Sequence, residues 1–351
     1  MAKKALITGI TGQDGAYLAE FLLSKDYEIF GTYRRISTPN FWRLRYLDIF
    51  DRINLIPCDL LDSDSLYEAL NMSKPDEIYN LAAQSFVGAS FEQPISSGEI
   101  TGLGVTRLLE SIKKICPKAK LYHASTSELY GDNSYKSQDE NTEFVPSSPY
   151  AAAKLYAHSI IKIYRESYSM FASNGILFNH ESPLRGLEFV TRKISNSVAK
   201  IKLGIEDKII LGNIEAKRDW GYAKDYVEAM WLILQQEEPE DFVIATNKTY
   251  SVKDFLKKAF ECVNLKYSDY LQIDERFLRP SDVNYLCGDY SNAKQKLGWS
   301  PSTNFDQLVS IMVNKDLERW EKWQTGEHFP WDAFNYPNEN KILSRGWDID
   351  R

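Results

Sequence analysis

Cysteine is scarce in these 351 residues: Cys58, Cys116, Cys262 and Cys287 lie far apart, and no two form a CxxC pair. That spacing points away from a disulfide framework or a thiolate metal site and toward reduced thiols in the cytoplasm. Histidine is as sparse, with 4 dispersed residues and no metal-ligand pattern. No apolar run is long enough to span a bilayer, and the opening MAKKALITG reads as the entry to a strand instead of a leader. Basic charge is in deficit. With 42 Lys and Arg against 49 Asp and Glu, the net charge of -7 argues against a sequence-independent nucleic-acid binder. Internal repeats and low-complexity tracts are missing as well. What remains is the composition of a soluble globular chain, 43% apolar and 26% charged, with room for one large domain or two moderate ones.

The first half alternates short runs rich in β-branched and aromatic residues with amphipathic stretches. KALITGI, YEIFGTY, INLIPCDL, EIYNLAA and KLYHAST are the runs; AYLAEFLLSK, DSLYEALNM and TRLLESIKKI lie between them. This order predicts right-handed βαβ crossovers and an α/β fold, a Rossmann-type doubly wound parallel sheet. Ligands of such a sheet bind beyond the carboxyl ends of its strands. The second half predicts a smaller mixed α/β substrate domain, with helices at TRKISNSVAKIKLG and AKDYVEAMWLILQQ and a strand at DFVIAT. The expected division is 1–178 for nucleotide binding, with 220–247 returning to it. Residues 179–219 and 248–330 form the second domain, and 331–351 an irregular tail rich in aromatics.

In ITGITGQDGAYLAEFLL, Gly9, Gly12 and Gly15 stand at GxxGxxG spacing between a strand and a helix, with Gln13 and Asp14 inside the loop. Glycines allow a tight turn and close approach, and the helix N-terminus offers amides to a pyrophosphate. An NAD site places an acid about 20 residues beyond the glycines, at the end of the second strand. This chain has Arg34 and Arg35 there, followed by Ser37. Two guanidiniums match a 2′-phosphate, so the expected cofactor is NADP. Asp59 and Leu60 follow the third strand, and Asp59 can accept from an adenine amino group. Leu81 and Ala83, at the end of the fourth, let the cofactor pass close to the backbone.

SSPYAAAKLYAHSIIKIYRE puts Tyr150 and Lys154 at i,i+4 on one helix face. A free phenol ionises near pH 10. A neighbouring ammonium and a cationic nicotinamide would lower that value, so that a tyrosinate could take a proton from a sugar hydroxyl. HASTSELYG then offers Thr126, Ser127 and Glu128 after the fifth strand. The hydroxyls are ordinary at a strand end, whereas a carboxylate two places after Thr126 is not explained by packing.

Together these blocks resemble the extended short-chain dehydrogenase/reductase superfamily, and within it the GDP-mannose 4,6-dehydratase family. FNHESPLRG, LGNIEAKRDWG and DYVEAMWLILQQEEPEDFVIAT extend the likeness over most of residues 3–315. The resemblance implies a lyase that converts GDP-D-mannose to GDP-4-keto-6-deoxy-D-mannose, the step that leads to GDP-6-deoxyhexoses. Tyr150 would serve the oxidation at C4, and Thr126 and Ser127 would hold the sugar. Glu128 would take the C5 proton and help expel the C6 hydroxyl, and hydride would return to C6. It also implies sugar-nucleotide contacts from Ser85, Asn179, Glu181, Arg185, Lys193, Asn213, Arg218, Arg279 and Asp282. Asp282 stands where relatives carry Glu. A homodimer or homotetramer is implied too, with Arg43 or Arg45 reaching a neighbouring subunit's cofactor.

Other readings stay open on the residues alone. The C6 pocket separates GDP-mannose from GDP-D-glycero-D-manno-heptose, and single residues do not fix its volume. A sugar-nucleotide 4-epimerase needs Thr126, Tyr150 and Lys154 but has no use for Glu128. A silent cofactor-binding scaffold would have little reason to hold all of them.

Overall fold

The computed structural model describes residues 2–37, 40–132, 136–277 and 283–327; the expected ligands Arg279 and Asp282 and the tail 331–351 lie outside the described residues. In chain order the first part holds β1 (Lys4–Thr8), α1 (Gln13–Leu23), β2 (Glu28–Tyr33), α2 (Trp42–Tyr46), β3 (Ile53–Pro57), α3 (Ser63–Ser73) and β4 (Glu77–Asn80). Helices α4 (Val87–Glu92), α5 (Pro94–Ser97) and α6 (Gly104–Ile115) lead to β5 (Lys120–Thr126), α7 (Pro149–Tyr168) and β6 (Ala172–Leu177). Then follow β7 (Asn179–Glu181), α8 (Val190–Lys202), β8 (Ile209–Leu211), β9 (Lys217–Arg218), β10 (Trp220–Tyr222), α9 (Ala223–Leu234) and β11 (Phe242–Ile244). The last are β12 (Tyr250–Ser251), α10 (Val252–Glu261), β13 (Leu271–Ile273), α11 (Ser291–Leu297) and α12 (Phe305–Gln324).

Seven strands make one sheet in the order β11-β6-β5-β4-β1-β2-β3, and every neighbouring pair is parallel. The chain runs outward from β1 on one side and from β4 on the other. The switch between β1 and β4 opens the crevice in which such sheets bind nucleotides. This is the doubly wound Rossmann-type sheet expected from the alternating pattern.

The pleat explains the apolar runs. Ala5 and Ile7 of β1 pack with α1 and α9 on one face, while Leu6 packs with α3 and α6 on the other. Both faces are covered, so the strands read as continuous apolar segments. A separate core joins α8, α10 and α12 through Ile194, Val198, Phe255, Leu256, Phe305 and Met312. Two linking features gave no sequence signal: the π-helical Gly98–Leu103 between α5 and α6, and the packing of Ala293, Leu297 and Trp299 into the first core.

Candidate active site

The β1–α1 turn has the shape a dinucleotide needs. Gly9 adopts φ +71°, and a Cβ on Gly15 would stand 2.5 Å from the Gly9 carbonyl oxygen. Only glycine fits so close a crossing. Helix α1 starts with Gly12 at its N-cap, and no side chain caps that end. Its first amides and positive dipole end suit a pyrophosphate, so the residues present fit the expected cofactor. Gln13 is turned to the protein instead: its Nε2 donates to the His180 carbonyl (3.2 Å) and its Oε1 accepts from Ser182 (2.6 Å). Asp14 reaches His180, with Oδ2 2.8 Å from Nε2. Arg34, Arg35 and Ser37 are exposed just beyond β2. Asp59 lies half-buried after β3, where its Oδ1 accepts from the Leu61 amide (3.0 Å), and Leu60 is buried beside it.

The reactive wall is built by β5 and α7. Thr126 ends the strand and caps the following 3-10 turn, its Oγ1 accepting from the Glu128 amide at 3.3 Å. Ser148 caps α7 by accepting from Ala151 (3.1 Å), which sets Tyr150 in the first turn and Lys154 one turn later. Lys154 Nζ donates to the Ala124 carbonyl at 2.6 Å and lies 6.0 Å from the Tyr150 ring centroid. Burial pushes the Lys154 ammonium down to about 8. Burial also pushes the Tyr150 phenol up, and the opposing hydrogen bond with Thr126 is the smaller effect. Burial thus sets the direction for the phenol among the protein's own groups, and the expected lowering would also draw on the nicotinamide charge.

The reactive wall opens on a cavity of about 280 Å³ that Asp14 reaches from the glycine turn; Gly9, Gly12, Gln13, Gly15, Arg34, Arg35, Ser37, Asp59 and Leu60 do not line it. Thr126, Ser127, Glu128, Tyr150 and Lys154 line it together, with Asp14, Leu81, Ala83 and Ser85 at the nucleotide side. Asn179, Glu181, Arg185, Lys193, Asn213 and Arg218 line the opposite side, so every described residue of the expected sugar-nucleotide set reaches the same space. The side chains there are already ordered by neighbours. Glu181 accepts from Thr191 (2.5 Å) and lies 3.1 Å from Arg185 Nε. Arg185 stacks on Phe189, its guanidinium carbon 3.6 Å from the ring centroid, and Lys193 stands 4.2 Å over Phe277. Arg218 donates to the carbonyls of Val283 (2.5 Å) and Lys217 (3.0 Å). Asn179 Oδ1 is buried with no partner among the described residues, an acceptor left for a ligand. Arg43 is engaged within its own chain, while Arg45 is exposed over Phe50.

The sequence profile of the GDP-mannose 4,6 dehydratase family matches residues 6–312. The human GDP-mannose 4,6 dehydratase is 50% identical over 339 residues, covering 90% of this chain and 91% of its own. The chain belongs to the GDP-mannose 4,6-dehydratase family. Solved structures share its fold at low identity. DesIV, a dTDP-glucose 4,6-dehydratase from Streptomyces venezuelae with NAD and TYD bound, gives a TM-score of 0.81 at 21% identity, covering 92% of this chain and 99% of that one. RMD from Pseudomonas aeruginosa complexed with NADPH gives 0.75 at 20%, covering 90% and 100%.

Sequence reasoning missed many residues of this cavity, among them three with polar or aromatic side chains. His180 and Glu188 line it, as does Phe277 beneath Lys193. Their neighbours Asn179 and Glu181 in the same motif were the available signal for His180. Nothing local in LRGLEFV or ERFLRP marked the other two.

Proposed function

We infer that this protein dehydrates GDP-D-mannose to GDP-4-keto-6-deoxy-D-mannose. The observation that carries the inference is Glu128 on the same cavity wall as Tyr150, Lys154 and Thr126. A dinucleotide bound at the glycine turn would supply acceptance of hydride from C4 and, once water has left, its return to C6, with a proton restored to C5. Tyr150 takes the C4 hydroxyl proton as that carbon is oxidised, and Lys154 holds a positive charge behind it. The resulting ketone acidifies C5–H. Glu128 removes that proton and delivers one to the departing C6 hydroxyl, which leaves as water. Thr126 and Ser127 hold the sugar hydroxyls, Thr126 nearest the C4 oxygen.

The finer assignments follow the same chemistry. NADP is favoured over NAD by Arg34 and Arg35, whose exposed guanidiniums stand where an acid would hold a ribose diol. Residues 1–178 with 220–247 bind the cofactor, and 179–219 with 248–330 hold the sugar nucleotide. Arg185, Lys193 and Arg218 supply cations for its diphosphate. Leu103, Tyr156 and Ile163 expose apolar surface on the α6–α7 side, which supports a homo-oligomer. The four free thiols suit the cytoplasm, and no helix among the described residues is long and apolar enough to cross a membrane.

The decisive experiment incubates the protein with catalytic NADP and either GDP-mannose or GDP-manno-heptose, then weighs the products. Loss of one water from GDP-mannose without net NADPH is expected. Loss from the heptose alone would replace the substrate, and loss from neither would overturn the dehydratase reading.

A further inference from the structure

Arg185 enters the cavity from the loop Ser182–Arg185, and that loop is held by groups that do not line the cavity themselves. Two of its carbonyls end on guanidiniums from distant elements. Arg43, in α2, donates from Nε to Leu184 O at 2.8 Å and from Nη1 to Thr11 O at 3.0 Å. One side chain thus bridges this loop and the glycine turn. Arg192, in α8, donates from Nη1 to Arg185 O at 3.0 Å. Its other nitrogens are fixed by Asp316 of α12, with Nε at 2.9 Å from Oδ2 and Nη2 at 2.6 Å from Oδ1. Asp316 is fully buried and also accepts from Ser195 (2.6 Å) and Arg319 (2.9 Å). It lies beyond residues 6–312, the span matched by the family profile. At the other end of the loop, Ser182 donates to Gln13 (2.6 Å) and accepts from Leu184 N (3.0 Å).

We propose that Arg43 and Arg192 are positioning residues that aim Arg185 into the cavity, with Arg43 tying that aim to the glycine turn. A fork of donors is what the task needs. Two carbonyls on separate segments can be held at once by a guanidinium, whereas an ammonium is a single point. Arg192 is pre-oriented by a two-oxygen contact with a buried carboxylate, so its free edge has one direction in which to donate. Arg43 remains cationic at neutral pH although burial lowers its guanidinium to about 10. The inference deepens the proposed function and rests on Arg185 acting as a ligand of the bound nucleotides.

A double-mutant cycle tests it, with NADP and GDP as separate probes in calorimetric titrations. The proteins are wild type, R185A, R43M, R43K and R43M/R185A, each with its unfolding midpoint measured. R185A is expected to weaken GDP binding by about 10-fold or more, the scale of a lost charge-assisted contact. R43M should weaken the same probe by roughly 5- to 10-fold, R43K should fall between, and R43M should add less than about twofold once Arg185 is gone. A merely structural role would weaken binding equally in both backgrounds, and that result would overturn the proposal. If R185A leaves GDP affinity unchanged, the ligand role of Arg185 fails; if R185A weakens GDP binding and R43M does not, the positioning role alone fails. R192K, which keeps the charge facing Asp316 but loses the fork, supplies a second arm of the same cycle should R43M not fold.

Discussion

His180 Nε2 lies 2.8 Å from Asp14 Oδ2, which joins the first turn of α1 to β7 across 166 residues of sequence. The other ring nitrogen faces the Phe178 carbonyl at 2.7 Å. With an acceptor at each nitrogen, the imidazolium is the form that satisfies both. Burial works against the charge, but the Asp14 carboxylate outweighs it and the histidine is raised above its usual value. On the other side of the pair, burial would raise Asp14, yet His180 and Gln13 hold it down at about 2.

Stability should therefore depend on pH at both ends. The raised histidine contributes fully below its unfolded value of 6.5, and that contribution is lost as pH rises through the folded value. The depressed aspartate contributes above 3.8 and loses its contribution as pH falls toward 2. Urea midpoints measured across pH should fall on both sides in the wild type. Because each shift is set by the partner, H180Q and D14N should each flatten both sides of the profile; an unchanged profile in either would remove the pair from the account.

Glu128→Gln separates oxidation from elimination. The amide keeps the shape and loses the base, so single-turnover NADPH formation should persist while dehydration slows by at least about 100-fold. Tyr150→Phe should instead slow the NADPH formation itself. A Glu128→Gln enzyme that loses water at the wild-type rate would end the role given to that carboxylate.

What could be read from the sequence was set by distance along the chain. The glycine turn, the Tyr150–Lys154 face and the Thr126–Glu128 strand end each lie within one element and its turn, where spacing fixes geometry. The parallel sheet was legible because both of its faces are covered, leaving strands as unbroken apolar runs. Asp14–His180 and Arg192–Asp316 were not legible, since 166 and 124 residues separate the partners and no local period couples them. The burial that raises the Tyr150 phenol was not legible for a related reason. Motif spacing locates a lysine, but the burial of both groups comes from the whole fold.

Arg34 and Arg35 give a prediction of cofactor choice. If their guanidiniums hold a 2′-phosphate, replacing both by alanine removes charge-assisted contacts that NAD never makes. NADP affinity should fall by about 10- to 100-fold while NAD affinity moves less than about twofold. Fluorescence titration with the two reduced cofactors reads this directly. Equal losses for both would mean the arginines act on the shared pyrophosphate or on the fold.

Two glycines make opposite predictions for one substitution. At Gly15 an added Cβ would meet backbone on every near side, 2.5 Å from Gly9 O and 2.8 Å from Ile10 Cα. Backbone atoms of a tight turn cannot retreat as a side chain can, so Gly15→Ala must open the turn. It should cost about 1–3 kcal/mol of stability and most of the NADP affinity. At Gly98 nothing lies within 4 Å of the added carbon, and the residue already has helical angles of -64° and -45°. Gly98→Ala should raise stability by about 0.4–1 kcal/mol, chiefly by restricting the unfolded chain, and leave NADP binding as it was. Urea denaturation with a parallel NADP titration compares the two. Loss of NADP affinity in both variants would show that the test reports general damage, whereas loss in Gly15→Ala alone ties the cofactor to the crossing of that helix over the turn.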